Sequence, residues 1–190
     1  MKKLLIFLVF VMPNLLIYAQ EEGSVDAQTT KKLTKEQKSE QRRTEAEAAA
    51  KLVEWMVENK NFVLEANSLS DKYGNHANVS SMINFLAVDS NIITIQLAST
   101  SGIGGANGMG GVTTDGNITQ FIVNRTGKNK SGYSIRLYTM TNIGSFDITF
   151  SILPNGTADA SISGNWGSRL NYHGYLVPLK KSRVFRGMTI

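Results

Sequence analysis

The 190-residue sequence has no cysteine, three prolines, two histidines and two tryptophans, and each scarcity removes a class of chemistry. Without cysteine there are no disulfides, no thiolate metal sites, no thiol nucleophile and no lipid attachment at a processed cysteine. His76 and His173 stand at neither helical nor strand spacing with each other and a carboxylate, so no metal triad is formed and no cofactor is expected. No Gly-x-Ser-x-Gly elbow occurs either, and the strand–turn–helix context that such a nucleophile needs is missing. The chain therefore reads as non-enzymatic and held together by core packing, for which its 42% apolar content is ample.

Also lacking is an apolar run long enough to span a bilayer, which takes ~20 residues. The longest run, Leu4 to Met12, is interrupted by Pro13-Asn14. It follows the basic start Met1-Lys2-Lys3, and Ile17-Tyr18-Ala19 precedes the polar Gln20-Glu21-Glu22. This is the layout of a secretory signal peptide over residues 1–19, cleaved near Ala19. The expected location is periplasmic or secreted, with no stable membrane insertion after cleavage and no nucleic-acid partner.

What the chain does contain is a modest excess of basic residues, a formal net charge of +5 that falls to +3 if Lys2 and Lys3 leave with the signal. Lys180, Lys181, Arg183 and Arg186 crowd the last eleven residues without an acid. Contact with anionic lipid or glycan would suit such a basic tail over residues 180–190, although a frayed, solvated terminus is the plainer expectation.

Residues 20–33 are polar and without period, and read as a disordered leader. Thr34 and Gln37 then form a capping-box pattern, Glu47 and Lys51 an i,i+4 pair, and neither Gly nor Pro interrupts. A helix over residues 34–59 follows, with Ala46, Ala49, Ala50, Val53, Met56 and Val57 on one face. Its first half, Lys35 to Arg43, has no apolar stripe and should project into solvent.

From Asn61 onward the apolar period shortens to two, and residues 60–179 read as the β domain. Phe146, Ile148, Phe150 and Ile152 alternate with Asp147, Thr149 and Ser151, so a one-residue slip would bury Asp147 and expose two rings. Strands are also expected at Phe62 to Ala66, Met82 to Val88, Ile93 to Leu97, Ile118 to Arg125, Tyr133 to Met140, Thr157 to Ser163 and Leu170 to Val177. Short connections at Asp89-Ser90-Asn91, Thr126 to Lys130 and Pro154-Asn155-Gly156 make sequential hairpins. A meander of about eight strands avoids open edges by closing, so the expected fold is an all-β, antiparallel up-and-down, lipocalin-like barrel preceded by an N-terminal α-helix.

Taken in order, the helix running into Lys51 to Ala66, the glycine-rich segment, the Ile148 to Ser163 hairpin and the closing Tyr172-His173-Gly174-Tyr175-Leu176 resemble a family of small secreted proteins. These come mostly from Bacteroidetes and share a domain of unknown function. The resemblance, over about Ala46 to Pro178, implies a lipocalin-like barrel and an envelope or secreted location, with no catalytic residues to carry over. Many relatives carry a lipobox cysteine; this chain has none, which implies a soluble mature form.

The segment Gly102 to Gly111 has six glycines in ten residues. It is not a dinucleotide loop, because Asn107 stands where the third glycine belongs and another strand follows where a helix is required. It reads instead as a long loop at one barrel rim, with Ile103, Asn107 and Met109 as candidate ligand contacts near residues 100–117. Glu65, Asp89, Asp115, Asp147 and Asp159 read as solvated carboxylates. The alternation of Tyr133, Arg136 and Tyr138 suits sugar stacking or ordinary packing. Two functions are in view. One is an exported barrel binding a small or extended ligand, or an envelope component, at that rim. The other is a filled structural module acting through its helix or basic tail.

Overall fold

The computed structural model describes residues 34–98, 111–164 and 169–189. Residues 1–33, residues 99–110 with Ile103, Asn107 and Met109, and residues 165–168 lie outside the described residues. Helix α1 spans Lys35–Glu58. The strands are β1 (Asn61–Asp71), β2 (His76–Asn78), β3 (Phe85–Asp89), β4 (Ile92–Leu97), β5 (Val112–Thr126), β6 (Gly132–Thr141), β7 (Gly144–Ile152), β8 (Thr157–Gly164) and β9 (Arg169–Val177).

β1 and β3 to β9 follow one another as antiparallel neighbours, and β9 pairs back onto β1, closing an eight-stranded up-and-down barrel. The short β2 is an extra strand, folded back onto the second half of β1 where β3 has ended. Closure leaves none of the eight barrel strands at a sheet edge over its full length, although the second half of β5, beyond Asn117, extends past β4 and pairs with β6 alone.

Side-chain alternation decides the core. Phe146, Ile148, Phe150 and Ile152 of β7 are all buried, and their ladder with Ile135 and Leu137 of β6 faces the same interior. Phe62 and Phe150 meet edge to face across the barrel, with ring centroids 5.6 Å apart. That geometry suits the quadrupoles of both rings. Phe121 shares the inward register of Leu137 but stays half-buried, with the Lys60 ammonium 5.0 Å from its ring centroid.

The helix behaves as its sequence dictates. Residues 34–48 are exposed, while Val53, Met56 and Val57 join the barrel core. Lys60, in the left-handed region at φ 48°, ends the helix, and its N–H donates to the Val57 carbonyl at 3.2 Å. Glu54 pairs with Arg125 near the end of β5, and that guanidinium lies 4.5 Å over the Tyr133 ring. One end of the barrel is thereby held against α1.

Three sequence expectations need correction. Residues 112–117 are the first turn-free stretch of β5, paired with β4 from Leu97↔Val112 to Ile92↔Asn117. Asp115-Gly116-Asn117 has turn composition, but Gly116 serves close packing: a Cβ there would meet Thr139 Oγ1 at 2.1 Å. The strand expected from Met82 begins only at Phe85, because Ile83 and Asn84 donate back to the Ser80 carbonyl. The third concerns the basic tail.

Residues 178–189 are docked on the outer face of β1, β3, β4 and β5. The 3-10 turn Leu179–Lys181 contacts β1 and β3, Ser182 Oγ donates to Glu65 Oε1 at 2.6 Å, and Phe185 N–H donates to the Met82 carbonyl at 2.7 Å. Arg186 pairs with Asp115, whose carboxylate also accepts from Thr94 Oγ1 at 2.7 Å. Gln96 of β4 is the hub. Its amide donates to the carbonyls of Ile83 (3.1 Å) and Phe185 (2.7 Å) and accepts from Thr113 Oγ1 (3.1 Å) and Gly187 N–H (2.8 Å). Four bonds satisfy both donors and both acceptors of the side chain, which is what allows it to be fully buried.

Candidate functional site

At the end of the barrel away from α1, β4 finishes at Leu97 and β5 starts at Val112, beside the β6–β7 turn and the start of β9. Here the described residues leave the interior unfilled. A cavity of about 340 Å³ is walled by Ile95, Leu97, Val112, Ile143, Phe146, Ile162, Leu170 and Tyr172, with Asp71 and Arg169 at its edge. Its size lies at the small end of the range for ligand sites, roughly 300–1,000 Å³.

Tyr172 forms part of the inner wall. Its hydroxyl crosses the interior to donate to the Gln96 carbonyl at 3.1 Å, and burial pushes the phenol well above its ordinary pKa, so it stays neutral. Thr114 also lines the cavity, facing inward opposite Ile95. Its hydroxyl is buried and has no hydrogen-bond partner, a condition shared among the described residues only by the Tyr133 hydroxyl, which does not line this cavity. Leaving such a group unpaired costs about 1–3 kcal/mol, a local weakness in the wall of the cavity.

Outside the same rim runs a polar groove of about 580 Å³, lined by Ser70, Asp71, Lys72, Gly74, Ser163, Arg169 and Asn171. Asp71 organises its edge. Its carboxylate accepts from Tyr73 N–H (2.8 Å), Asn75 N–H (3.0 Å) and Asn75 Nδ2 (2.7 Å), and these bonds, the Asn75 amide foremost, hold its pKa below the usual carboxylate value. A carboxyl whose folded pKa is depressed stabilises the fold above its unfolded pKa and loses that contribution as pH falls through the folded value. Protection of the backbone amide at position 75, relative to its intrinsic exchange, should therefore fall on acidification only below the ordinary Asp titration, and Asn75→Ala should move that onset to higher pH.

Beside the groove, Ser70, His173 and Asp159 are hydrogen-bonded in series. His173 Nδ1 donates to Asp159 Oδ1 at 2.7 Å, its Nε2 is hydrogen-bonded to Ser70 Oγ at 2.9 Å, and Asn171 Nδ2 donates to the same hydroxyl at 3.2 Å. The order is that of a nucleophile, base and orienting acid, and strand pairing brings it together across 103 residues. The rest of such a centre has no place here. Ser70 is 6% exposed, and β1 is paired at that residue on both edges, with His76 and Asn171, so its backbone donors are engaged in ladders. A preorganised pair of N–H groups for an oxyanion is what acyl transfer depends on most. The series instead cross-links β1, β9 and β8 at the seam where the barrel closes.

The other candidates are engaged as well. Arg136 bonds Asp147 at 2.7 Å and lies 4.9 Å from the Tyr138 ring, while Tyr133 points into the core, so the alternation of Tyr133, Arg136 and Tyr138 does not form one face. Glu65, Asp115 and Asp159 hold the partners already described, and Asp89 accepts from Ser90 Oγ at 3.3 Å. Among the described residues no cluster of three His, Asp or Glu side chains is arranged to hold a metal, and no helix is long and apolar enough to cross a membrane.

With barrel and mouth defined, the family can be stated. Residues 40–176 match the family described as "Domain of unknown function (DUF4251)". The chain belongs to the DUF4251 family. It is similar in structure to a solved DUF4251 family protein from Bacteroides eggerthii, at 26% identity and a TM-score of 0.59, over 75% of this chain and 93% of that one. Among curated proteins the chain matches none. The resemblance drawn from the order of motifs is thus the DUF4251 relationship, and the likeness spans the barrel that carries the mouth cavity.

Proposed function

We propose that this DUF4251 barrel is an exported binding domain that takes a small, largely apolar ligand into the cavity at its mouth. The observation that carries the reading is the 340 Å³ apolar cavity that the described residues enclose at the mouth of the barrel. Export rests on the signal-peptide layout of residues 1–19.

Binding of N-phenylnaphthylamine, a neutral apolar fluorophore, tests the reading. Wild-type protein should bind it saturably, and Ile143→Trp, which fills the mouth from the β6–β7 turn, should abolish binding while leaving the melting temperature within a few degrees. Neutral alkyl competitors should gain about fourfold in affinity per methylene until the cavity is full, as expected for ~0.8 kcal/mol per buried CH₂. Binding unaffected by Ile143→Trp would place the fluorophore elsewhere and remove the reading. Thr114→Val should raise the melting temperature of the ligand-free protein by roughly 2–4 °C, since it relieves about 1 kcal/mol of unpaired hydroxyl.

The exposed first half of α1 favours one further reading, a partner site on residues 35–48. Deleting Lys35 to Arg43 would then abolish co-purification of an envelope partner without changing barrel stability. The docked tail offers less to such a partner, because Arg186 and the Ser182 hydroxyl are already spent on Asp115 and Glu65.

A further inference from the structure

The apolar cavity and the polar groove share two wall residues, Asp71 and Arg169, so they form one continuous surface that passes over the rim where β1 ends and β9 begins. The two halves differ in chemistry. The inner half is aliphatic and aromatic, whereas the outer half offers the Ser163 hydroxyl and Asn171 amide together with two cations, Lys72 and Arg169.

Like most basic side chains among the described residues, these two stand outside any ion pair, and the Lys72 ammonium lies 5.1 Å from the centroid of the exposed Tyr73 ring. Arg43, Arg125, Arg136 and Arg186 each pair with a carboxylate, but Lys72 and Arg169 pair with none among the described residues. The nearest acid along the shared wall, Asp71, directs both carboxylate oxygens into its own turn, towards Tyr73 and Asn75. The rim thus carries a net positive charge beside an apolar cavity, an arrangement complementary to a molecule with an apolar chain and an anionic end.

We infer that the ligand is a single-chain amphiphile with an anionic head, carboxylate or phosphate, its chain in the cavity and its head between Lys72 and Arg169. This rests on the cavity reading above and specifies the ligand class for it. A neutral head would supply neither cation with a counter-charge, and a cationic head would be repelled by them.

Competition of decanoate, decyl phosphate, decanol and decyltrimethylammonium against N-phenylnaphthylamine separates the two claims. At low salt at least one anion should bind roughly tenfold tighter than decanol, and the cation should bind weakest, with the spread shrinking as salt is raised. Lys72 is on the surface and outside the cavity wall, so Lys72→Gln should fold normally; it should cut the advantage of the anions over decanol severalfold while leaving decanol itself unchanged. Decanol binding as tightly as the anions would overturn the head-group assignment and leave the cavity reading intact. Displacement by none of the four, decanol included, would overturn both.

Discussion

Gly174→Ala should destabilise the protein by about 3 kcal/mol, the upper end of what overpacking costs, or roughly 6–12 °C in melting temperature for a domain of this size. Gly174 lies in β9 opposite Ala66, at the irregularity in β1 between Ala66 and Ser68. A Cβ there would stand 1.9 Å from the Glu65 carbonyl oxygen and 2.9 Å from the Ala66 Cα. These are backbone atoms in a two-sided ladder, so no rotamer change relieves the overlap, and the strands must part where the barrel closes. Gly74→Ala is the useful contrast. Gly74 has φ +88° and open space around it, so its substitution costs only local strain, about 1 kcal/mol. Equal melting temperatures for the two variants would show that the β1–β9 seam is not packed as described.

Gln96→Leu should cost about 3–4 kcal/mol and release the C-terminal segment. The substitution removes the Gln96 bonds to the Ile83 and Phe185 carbonyls, the Thr113 hydroxyl and the Gly187 N–H, each worth roughly 1 kcal/mol. Release of residues 178–189 rehydrates some of these groups, so stability falls by less than the sum and protection falls by more. Trypsin should then cut rapidly at Arg183 and Arg186 in the variant while sparing the folded wild type. Slow cleavage in Gln96→Leu, at wild-type rates, would mean that the segment is held chiefly by the Arg186–Asp115 and Ser182–Glu65 contacts.

The contrast between these two positions shows what can be read in a sequence of this kind. The β7 strand was legible because Phe146, Ile148, Phe150 and Ile152 face one way and polar residues the other, and every member of that set is buried. The helix was legible for the same reason at a period of 3.6, down to the exposed first half. Gln96 follows the same alternation as a polar, outward residue and yet is fully buried, because another stretch of chain 89 residues away covers it. Periodicity reports which face a residue occupies, and it carries no information on what lies over that face. Strand β2, three residues long, is too short to have a period at all.

The candidate site was legible only in outline. The rim where β4 ends and β5 begins is the end of the barrel that the sequence singles out, and Ile103, Asn107 and Met109 lie outside the described residues. The walls of the cavity come from β4, β5, β7, β8, β9 and the β6–β7 turn. No local pattern could gather Ile95, Ile143 and Ile162, or mark the Thr114 hydroxyl as unpaired, since both follow from closure. Lys72 and Arg169 likewise look like ordinary surface charges until the β1–β9 pairing brings the ends of those strands together.

The most direct test is a methyl-labelled NMR titration of the full chain with decanol, which needs no assumption about the head group. Saturable shifts confined to Ile95, Ile143, Ile162, Leu97 and Leu170, with Ile92 and Ile122 on the outer surface unmoved, are the result the mouth cavity requires. Shifts at the surface methyls alone, or no saturable shift at the five that line the cavity, would contradict it.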